Sequence, residues 1–481
     1  MLALYGDAGE PSWAWAEVLQ QLVNASGVAP CVAAYNVDSS WEEGPGYWAY
    51  ASKYNVWLFA ALQSALGDRS AAGLLALPGV AGAARFPLWS TGANAVVQGG
   101  LPSEIFNWAD SAAQGEDWTP FSQWWGSKAG FNDSAASAWS RLGSATLGQA
   151  LLHGFAWGGF VEALAFYEPR GSLSDIAALP TAKLFDFVGV GVWRSPWLAL
   201  QQNFVSFKGG NSAWNHGHLD LGSFVFDYAG KRLAEDLGAD SYNLPGYFGP
   251  QRFSYYRLNS RGHNVPLFGN ETQAHPAAAP VTAFNATFAP AKTGTITLDG
   301  YAVVELTAAY AASAGALSAR RGFISVSASA ALVIVDEFVY SGAAPRPANV
   351  TWQLHTRAAA SQVTRTQVML EPKGGRGPGS NGAWLSVIPG ATSCMGSWGG
   401  WLFVDETTEL PDPPFDSAAG LTRVDAVFSS PSPSCTSLAF ALGDMPIVAS
   451  FGFGAPGVRP IDDWATLGPL DYSASGQPTA A

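Results

Sequence analysis

Within residues 1–200, apolar positions recur every third or fourth residue in four stretches: Trp13 to Val23, Tyr54 to Leu66, Ala135 to Leu152 and Phe155 to Phe166. Gly- and Pro-rich breaks such as Leu77-Pro-Gly-Val and Gly99-Gly-Leu-Pro separate them, with no strand-like alternation between. This pattern predicts an all-α layer built of helical hairpins. From about Asn203 the texture changes to short β-rich runs: Phe204-Val-Ser-Phe, Ser223-Phe-Val-Phe, Gly322-Phe-Ile-Ser-Val, Ala331-Leu-Val-Ile-Val, Val350-Thr-Trp-Gln-Leu and Ala383-Trp-Leu-Ser-Val. Turn residues punctuate these runs at short intervals, which predicts an antiparallel β-sandwich. The stretch Glu371-Pro-Lys-Gly-Gly-Arg-Gly-Pro-Gly-Ser reads as a flexible surface connection. The expected organisation is a helical domain over residues 1–200 and a sandwich over residues 201–481.

Composition narrows the function. The 481 residues are 48% apolar and only 13% charged, which excludes a disordered chain. Lys and Arg total 24 against 37 Asp and Glu, a net charge of −13. Nucleic-acid binding is not expected, because neutralising phosphates requires clustered cations. No apolar run is long enough for a membrane span. Three cysteines exclude a disulfide-built miniprotein; Cys394 and Cys435 pair or stay as thiols depending on the compartment. The sequons at Asn24, Asn132, Asn270, Asn285 and Asn349 exceed the roughly two or three expected by chance, and point to a secreted or extracellular protein. Met1-Leu-Ala-Leu-Tyr lacks the basic and apolar regions of a signal peptide and reads as the tail of a helix already in progress.

Four of the six histidines fall between residues 216 and 275. His216 and His218, if on a strand, project to one face, and two imidazoles beside acidic residues form a metal-ligand pattern. Asp236 and His263 follow downstream, whereas His153 and His355 read as structural histidines. Fifteen of the twenty tryptophans precede His216; most suit packing between helices, and two or three suffice to stack on sugar rings in a cleft.

Asn215-His-Gly-His-Leu-Asp-Leu-Gly-Ser-Phe, followed by Ala234-Glu-Asp-Leu-Gly, Tyr242-Asn-Leu-Pro-Gly-Tyr and Gly262-His-Asn, resembles the heparinase II/III-like family of polysaccharide lyases. Trp41-Glu-Glu-Gly-Pro-Gly-Tyr47-Trp-Ala-Tyr50 is similar to the helical motif of the same family. The resemblance implies an incomplete (α/α) toroid followed by an antiparallel β-sandwich. It implies β-elimination at a uronic acid of an acidic polysaccharide, giving a 4,5-unsaturated sugar, and one zinc ion held by His218, Asp236 and His263. By the same match Tyr47 and His216 are the catalytic positions. Removing the C5 proton requires a base, a neutralised carboxylate and an acid for the departing O4 oxygen. A tyrosine can serve as base or acid where its phenolate is stabilised. Tyr242 and Tyr247, in a Pro/Gly loop, and Arg252 and Arg257, in the one basic cluster, are the substrate-binding candidates.

The family's Asn or His partner, which lies well upstream of the catalytic tyrosine, would fall before Met1 here. Either the chain is truncated at its start or it lacks that charge neutraliser. Three other readings remain open. The first is a non-catalytic glycan-binding member. The second is a glycan hydrolase using carboxylates such as Glu42, Glu43 or Asp110. The third is a metal hydrolase on His216 and His218, for which His-Glu-x-x-His is absent.

Overall fold

The computed structural model describes residues 28–66, 72–93, 104–112, 119–127, 132–145, 165–166, 170–199, 202–286, 298–326, 330–340, 349–372, 383–388, 401–405, 421–429, 435–444 and a few positions between 457 and 471. The helix expected over 13–23, most of that over 155–166, the loop from 373 to 380, Asn24, His153 and Cys394 lie outside the described residues.

The chain divides into two compact units. In the first, the helix Gly44–Leu66 buries Trp48, Ser52, Val56, Phe59 and Leu62, a three-and-four spacing that defines one inward face. Pro45 occupies its first turn, where a missing N–H leaves no bond unmade. Phe59 stacks on Trp124 at 6.1 Å and meets Trp125 edge-on at 5.9 Å, fixing this helix against Thr119–Ser127. Trp125 Nε1 donates to the Val80 carbonyl at 2.6 Å. At the start of Ser134–Ala145, Asp133 accepts the Ala136 N–H at 3.1 Å and pairs with Arg85 at 2.6 Å, capping the helix.

The second unit is built of antiparallel sheets. Eight strands lie in the spatial order Ala359–Thr364, Gln367–Glu371, Ala383–Val387, Cys435–Asp444, Ala331–Tyr340, Ala316–Val326, Leu298–Glu305 and Val281–Asn285. Four more run Trp401–Asp405, Thr422–Ser429, Asn349–Thr356 and Leu267–Phe268. Trp352 of the four-stranded sheet stacks on Phe440 of the eight-stranded sheet at 4.0 Å, so the two pack face to face. Leu332, Ile334 and Phe338 enter this shared core, while Val333 and Val335 enter a second core on the opposite face. Burial on both faces is why Ala331-Leu-Val-Ile-Val reads as a continuous apolar run rather than an alternating one.

A third sheet runs Ala182–Phe185, Val190–Arg194, Phe204–Lys208, Phe224–Tyr228 and Lys231–Ala234 in chain order. Phe207 stacks on Phe323 at 4.7 Å and joins this sheet to the main core. Its first two strands correct the sequence reading: sheet structure begins at Ala182, inside the stretch expected to be helical. Residues 104–112, which fall within the expected helical domain of residues 1–200, belong to the second unit. Thr91 bridges Ile105, the Ala93 N–H donates to Asp227 at 2.8 Å, and Arg232 Nη1 donates to the Ile105 carbonyl at 3.1 Å. Backbone groups at the sheet margin are paired by this segment, which overrides its sequence neighbours.

Arg321 is fully buried and clamps the sheets to their loops. It forms a bidentate pair with Asp336 at 2.7 and 2.9 Å and donates to the carbonyls of Gly222 and Asn264 at 2.8 and 2.6 Å. Every donor it uses is met, which is the condition under which a charge tolerates burial. His355 is also fully buried, with its ring against the Tyr256 hydroxyl at 2.9 Å and the Asn264 side chain at 3.1 Å. Burial, aided by the charge of Arg423, pushes its imidazole down to about 3 from the ordinary 6.5. The unfolded chain therefore binds a proton below pH 6.5 that the native state refuses, so stability is greatest above that value and falls as pH drops towards 3. Between pH 7 and pH 5 the native protein should lose about 2 kcal/mol more than a His355→Gln variant, at roughly 1.4 kcal/mol per pH unit. Urea titrations of both proteins at the two pH values measure this; parallel losses would show that His355 is not held neutral.

Candidate functional site

The His216-Gly-His218 segment lies in the loop between the strands Phe204–Lys208 and Phe224–Tyr228, not on a strand. His216 sits at φ 60, a left-handed conformation costly for a residue with a side chain. Gly217 is required by close approach: a Cβ there would stand 2.8 Å from the carbonyls of both Ser212 and Trp214. Arg252 Nη2 holds the turn by donating to the carbonyls of His216 and Gly217 at 2.9 and 3.1 Å.

The two histidines converge on one buried carboxylate, Asp110. Its Oδ2 accepts His216 Nδ1 at 2.8 Å. Its Oδ1 accepts His218 Nε2 at 2.9 Å, the Tyr247 hydroxyl at 2.7 Å and Arg252 Nη2 at 3.0 Å. Burial alone would raise this carboxyl. Hydrogen bonds from His216 and His218, with the charge of Arg252, outweigh burial and hold it well below the usual carboxylate range. Burial and the Asp110 charge together push the Tyr247 hydroxyl up. Asp110 is delivered by residues 104–112, which lie along 236–239: Asn107 Nδ2 donates to the Asp236 carbonyl at 3.2 Å, and the Ala239 N–H to the Ser111 carbonyl at 3.2 Å. Gly238 makes this approach possible; it sits at φ 60, and a Cβ there would stand 2.1 Å from the Ser111 oxygen.

Behind this layer lies a second cluster. His218, Asp220 and His263, all buried, each offer a ligand atom within 4.8 Å of the others. His218 Nδ1, Asp220 Oδ2 and His263 Nε2 make no hydrogen bond, a costly state for buried polar atoms. Two imidazole nitrogens and a carboxylate oxygen are a donor set that suits zinc or another transition ion. His263 Nδ1 donates to Asp236 Oδ2 at 2.9 Å, and the Gly238 N–H donates to Asp236 Oδ1 at 2.9 Å. Each histidine is thus backed by a carboxylate, Asp110 or Asp236, the arrangement that orients metal-binding imidazoles. Burial would raise Asp236, but the His263 charge and hydrogen bond bring it down to about 2. Of the three expected metal ligands, the structure brings His218 and His263 together and sets Asp220 beside them, with Asp236 as the partner of His263. Lys208, buried at a strand end, forms an ion pair with Asp220 Oδ1.

The substrate-binding expectations divide. Tyr242 is 43% exposed, and its ring lies 6.4 Å from that of His216. Tyr247 is only 1% exposed with its hydroxyl on Asp110, which corrects its reading as a substrate contact. Arg252 is likewise committed to Asp110 and the His216 turn. Arg257 donates to the carbonyls of Leu237 and Ala239 at 3.2 and 3.0 Å, because the 236–239 bend leaves those oxygens without strand partners. Tyr47 lies in the first unit, half-buried in the first turn of Gly44–Leu66, with its ring 6.2 Å from that of Tyr50. Sequence reasoning did not place Asp220, Lys208 or Phe248 in the site and treated Asp110 only as a hydrolase carboxylate. Asp220 was within reach, two residues after His218 in the same motif. Phe248, 64% exposed with its ring 6.1 Å from His216, carries no signal beyond its aromatic loop.

Gly238→Ala should destabilise the protein by at least ~1–3 kcal/mol, the range for a strained left-handed residue, because the new methyl displaces the segment that carries Asp110. Gly249→Ala, whose Cβ would meet nothing nearer than 3.5 Å, serves as the control. Equal stability of the two variants by chemical denaturation would show that the 104–112 segment does not depend on this contact.

Residues 177–410 match the family described as heparinase II/III-like, C-terminal. No curated protein matches the chain. Among solved structures, the heparinase III BT4657 gene product is similar with a TM-score of 0.57 and 15% identity, covering 89% of this chain and 54% of that one. Another heparinase III structure gives 0.59 and 15%, covering 89% and 56%. The heparan sulfate lyase HepC from Pedobacter heparinus gives 0.57 and 11%, covering 89% and 55%. At these identities the likeness is one of fold, and this chain spans little more than half the length of those structures. The His216-Gly-His218 loop, Asp220, Asp236 and His263 all fall inside the matched residues, whereas Asp110 and Tyr47 precede them. The resemblance read from the motifs is thereby borne out: residues 177–410 of this chain are similar to the heparinase II/III-like C-terminal family.

Proposed function

We propose that this protein cleaves a uronic-acid-containing glycan by β-elimination, leaving a 4,5-unsaturated sugar. The observation that carries the reading is His216, a half-buried imidazole fixed by Asp110 and flanked by the exposed rings of Tyr242 and Phe248, inside residues that match a lyase family. β-Elimination needs a positioned group for the C5 proton and another for the O4 leaving group. His216 and Tyr47 take these proton transfers, as the family resemblance implies. Tyr242 and Phe248 supply flat apolar faces of the kind that stack on sugar rings. The helical unit is read as part of an incomplete (α/α) toroid. The sequons exposed at Asn132 and Asn270 support a secreted protein.

One zinc ion fits the buried cluster, with His218 Nδ1, His263 Nε2 and Asp220 Oδ2 as the atoms that would hold it. Bound there, it would supply fixed positive charge and tie together the loops that carry these residues. The residues of the cluster keep the His216 loop in place from behind, through the shared carboxylate of Asp110.

Ultraviolet absorbance of an unsaturated product from a panel of uronic-acid polymers tests the reaction. Saturated reducing ends would make the protein a hydrolase, and binding without cleavage would make it a glycan-binding protein. Tyr47→Phe keeps the ring and should lower the rate by about 100- to 10,000-fold with folding intact. Metal analysis of the purified protein should find one ion per chain. His218→Ala should lose that ion together with thermal stability, and protein that purifies without stoichiometric metal would remove the zinc from the reading.

A further inference from the structure

We propose that Asp110 is a positioning residue that fixes the two histidines of His216-Gly-His218 in opposite tautomers. In His216 the proton is on Nδ1 and Nε2 is the unprotonated ring nitrogen; in His218 the proton is on Nε2 and Nδ1 is unprotonated. The inference rests on which atoms meet the carboxylate. Oδ1 receives the Tyr247 hydroxyl at 2.7 Å, Arg252 Nη2 at 3.0 Å and His218 Nε2 at 2.9 Å. A guanidinium can only donate, so this oxygen acts as an acceptor. The Tyr247 hydroxyl accepts the Asp240 N–H at 3.3 Å and turns its own proton to the carboxylate. With two donors already on it, this oxygen has no proton to offer, so His218 donates from Nε2. Oδ2 receives His216 Nδ1 at 2.8 Å, and the Arg252 charge beside the carboxylate favours its ionised form, so His216 donates from Nδ1.

The two rings thus turn different nitrogens to their surroundings although they are two residues apart. His218 is fully buried, and its unprotonated Nδ1 belongs to the cluster with Asp220 and His263. His216 is half-buried, beside the paired rings of Tyr242 and Phe248. One carboxylate therefore sets the proton position of the metal-site histidine and of the histidine assigned to proton transfer. His216 makes this contact from a left-handed backbone, with Nδ1 on Asp110 Oδ2.

Asp110→Asn makes the prediction sharp. The amide has one oxygen and one NH2 group. Its oxygen must take the Oδ1 position, where three donors converge, so its NH2 faces His216 Nδ1. That nitrogen becomes an acceptor and the His216 proton moves to Nε2, while His218 keeps its tautomer. Nitrogen NMR of histidine-labelled protein as purified, at a pH above the imidazole range, reads both rings directly; His216→Gln assigns the resonances. Expected are Nδ1–H for His216 and Nε2–H for His218 in the native protein, with His216 alone switching in the variant. A native His216 protonated on Nε2, or a variant in which neither or both rings switch, overturns the proposal. If Asp110→Asn does not fold, the native spectrum decides alone.

The kinetic arm rests on the lyase reading. A misplaced tautomer or lost orienting partner costs between about tenfold and 10,000-fold. kcat should fall within that span with KM little changed, and an unchanged kcat in a variant whose His216 has switched would overturn the role of His216 and leave the tautomer assignment standing.

Discussion

A carboxylate taken out of water must find hydrogen-bond donors for both oxygens or give up its charge. Asp110 finds four, and the local architecture of the second unit follows from where they come from. His216 and His218 share one loop, while Tyr247 and Arg252 come from the segment after the 236–239 bend. For Asp110 to reach them, residues 104–112 must leave their sequence neighbours and run beside Asp236–Ala239, which requires a glycine at 238. Arg252 does two tasks at once, pairing with the carboxylate and holding the carbonyls of the strained His216 turn. Loss of any one donor would leave the others facing a charge less completely paired, so the group acts as a unit.

The sheets were legible where a strand carries its own signature. Ala331-Leu-Val-Ile-Val is apolar throughout because it faces two cores, and Val350-Thr-Trp-Gln-Leu places Trp352 against Phe440. The strands Ala182–Phe185 and Val190–Arg194 were not legible. They are short, carry Lys183, Gly191 and Arg194, and gain their burial from neighbours far along the chain. Gly191 is needed because the Phe207 ring lies over it, with a Cβ there falling 2.1 Å from the ring. A glycine that looks like a strand breaker is here the space for a core aromatic.

The site was legible in its histidines and not in what orders them. Asp110 stands 106 residues from His216, and no spacing rule links them. Asp220 lies two residues after His218 in the same motif, whereas the resemblance points to Asp236. In sequence, Arg252 and Arg257 suggest ligand binding because they form a basic cluster in an acidic chain. A guanidinium is also the best available partner for buried carboxylates and bare carbonyls, and in a chain with few cations that use takes precedence. The same holds for Tyr247, whose hydroxyl is spent on Asp110.

Removing Arg252, Arg257 and Tyr247 from the ligand-facing set changes how an acidic glycan would be held. With a net charge of −13, long-range attraction does not favour a polyanion. What the second unit exposes around His216 is aromatic: Tyr242 and Phe248, packed edge to face at 4.8 Å. Stacking on sugar faces acts at contact range and is insensitive to net charge, so recognition of this kind would weaken little as salt rises. Behind it, Lys208 pairs with Asp220, and the orphaned nitrogens of His218 and His263 lie within 4.8 Å of the same carboxylate. Because Lys208 takes Oδ1 and leaves Oδ2, the same carboxylate can keep its lysine and accept a cation, so filling the cluster requires no existing ion pair to break.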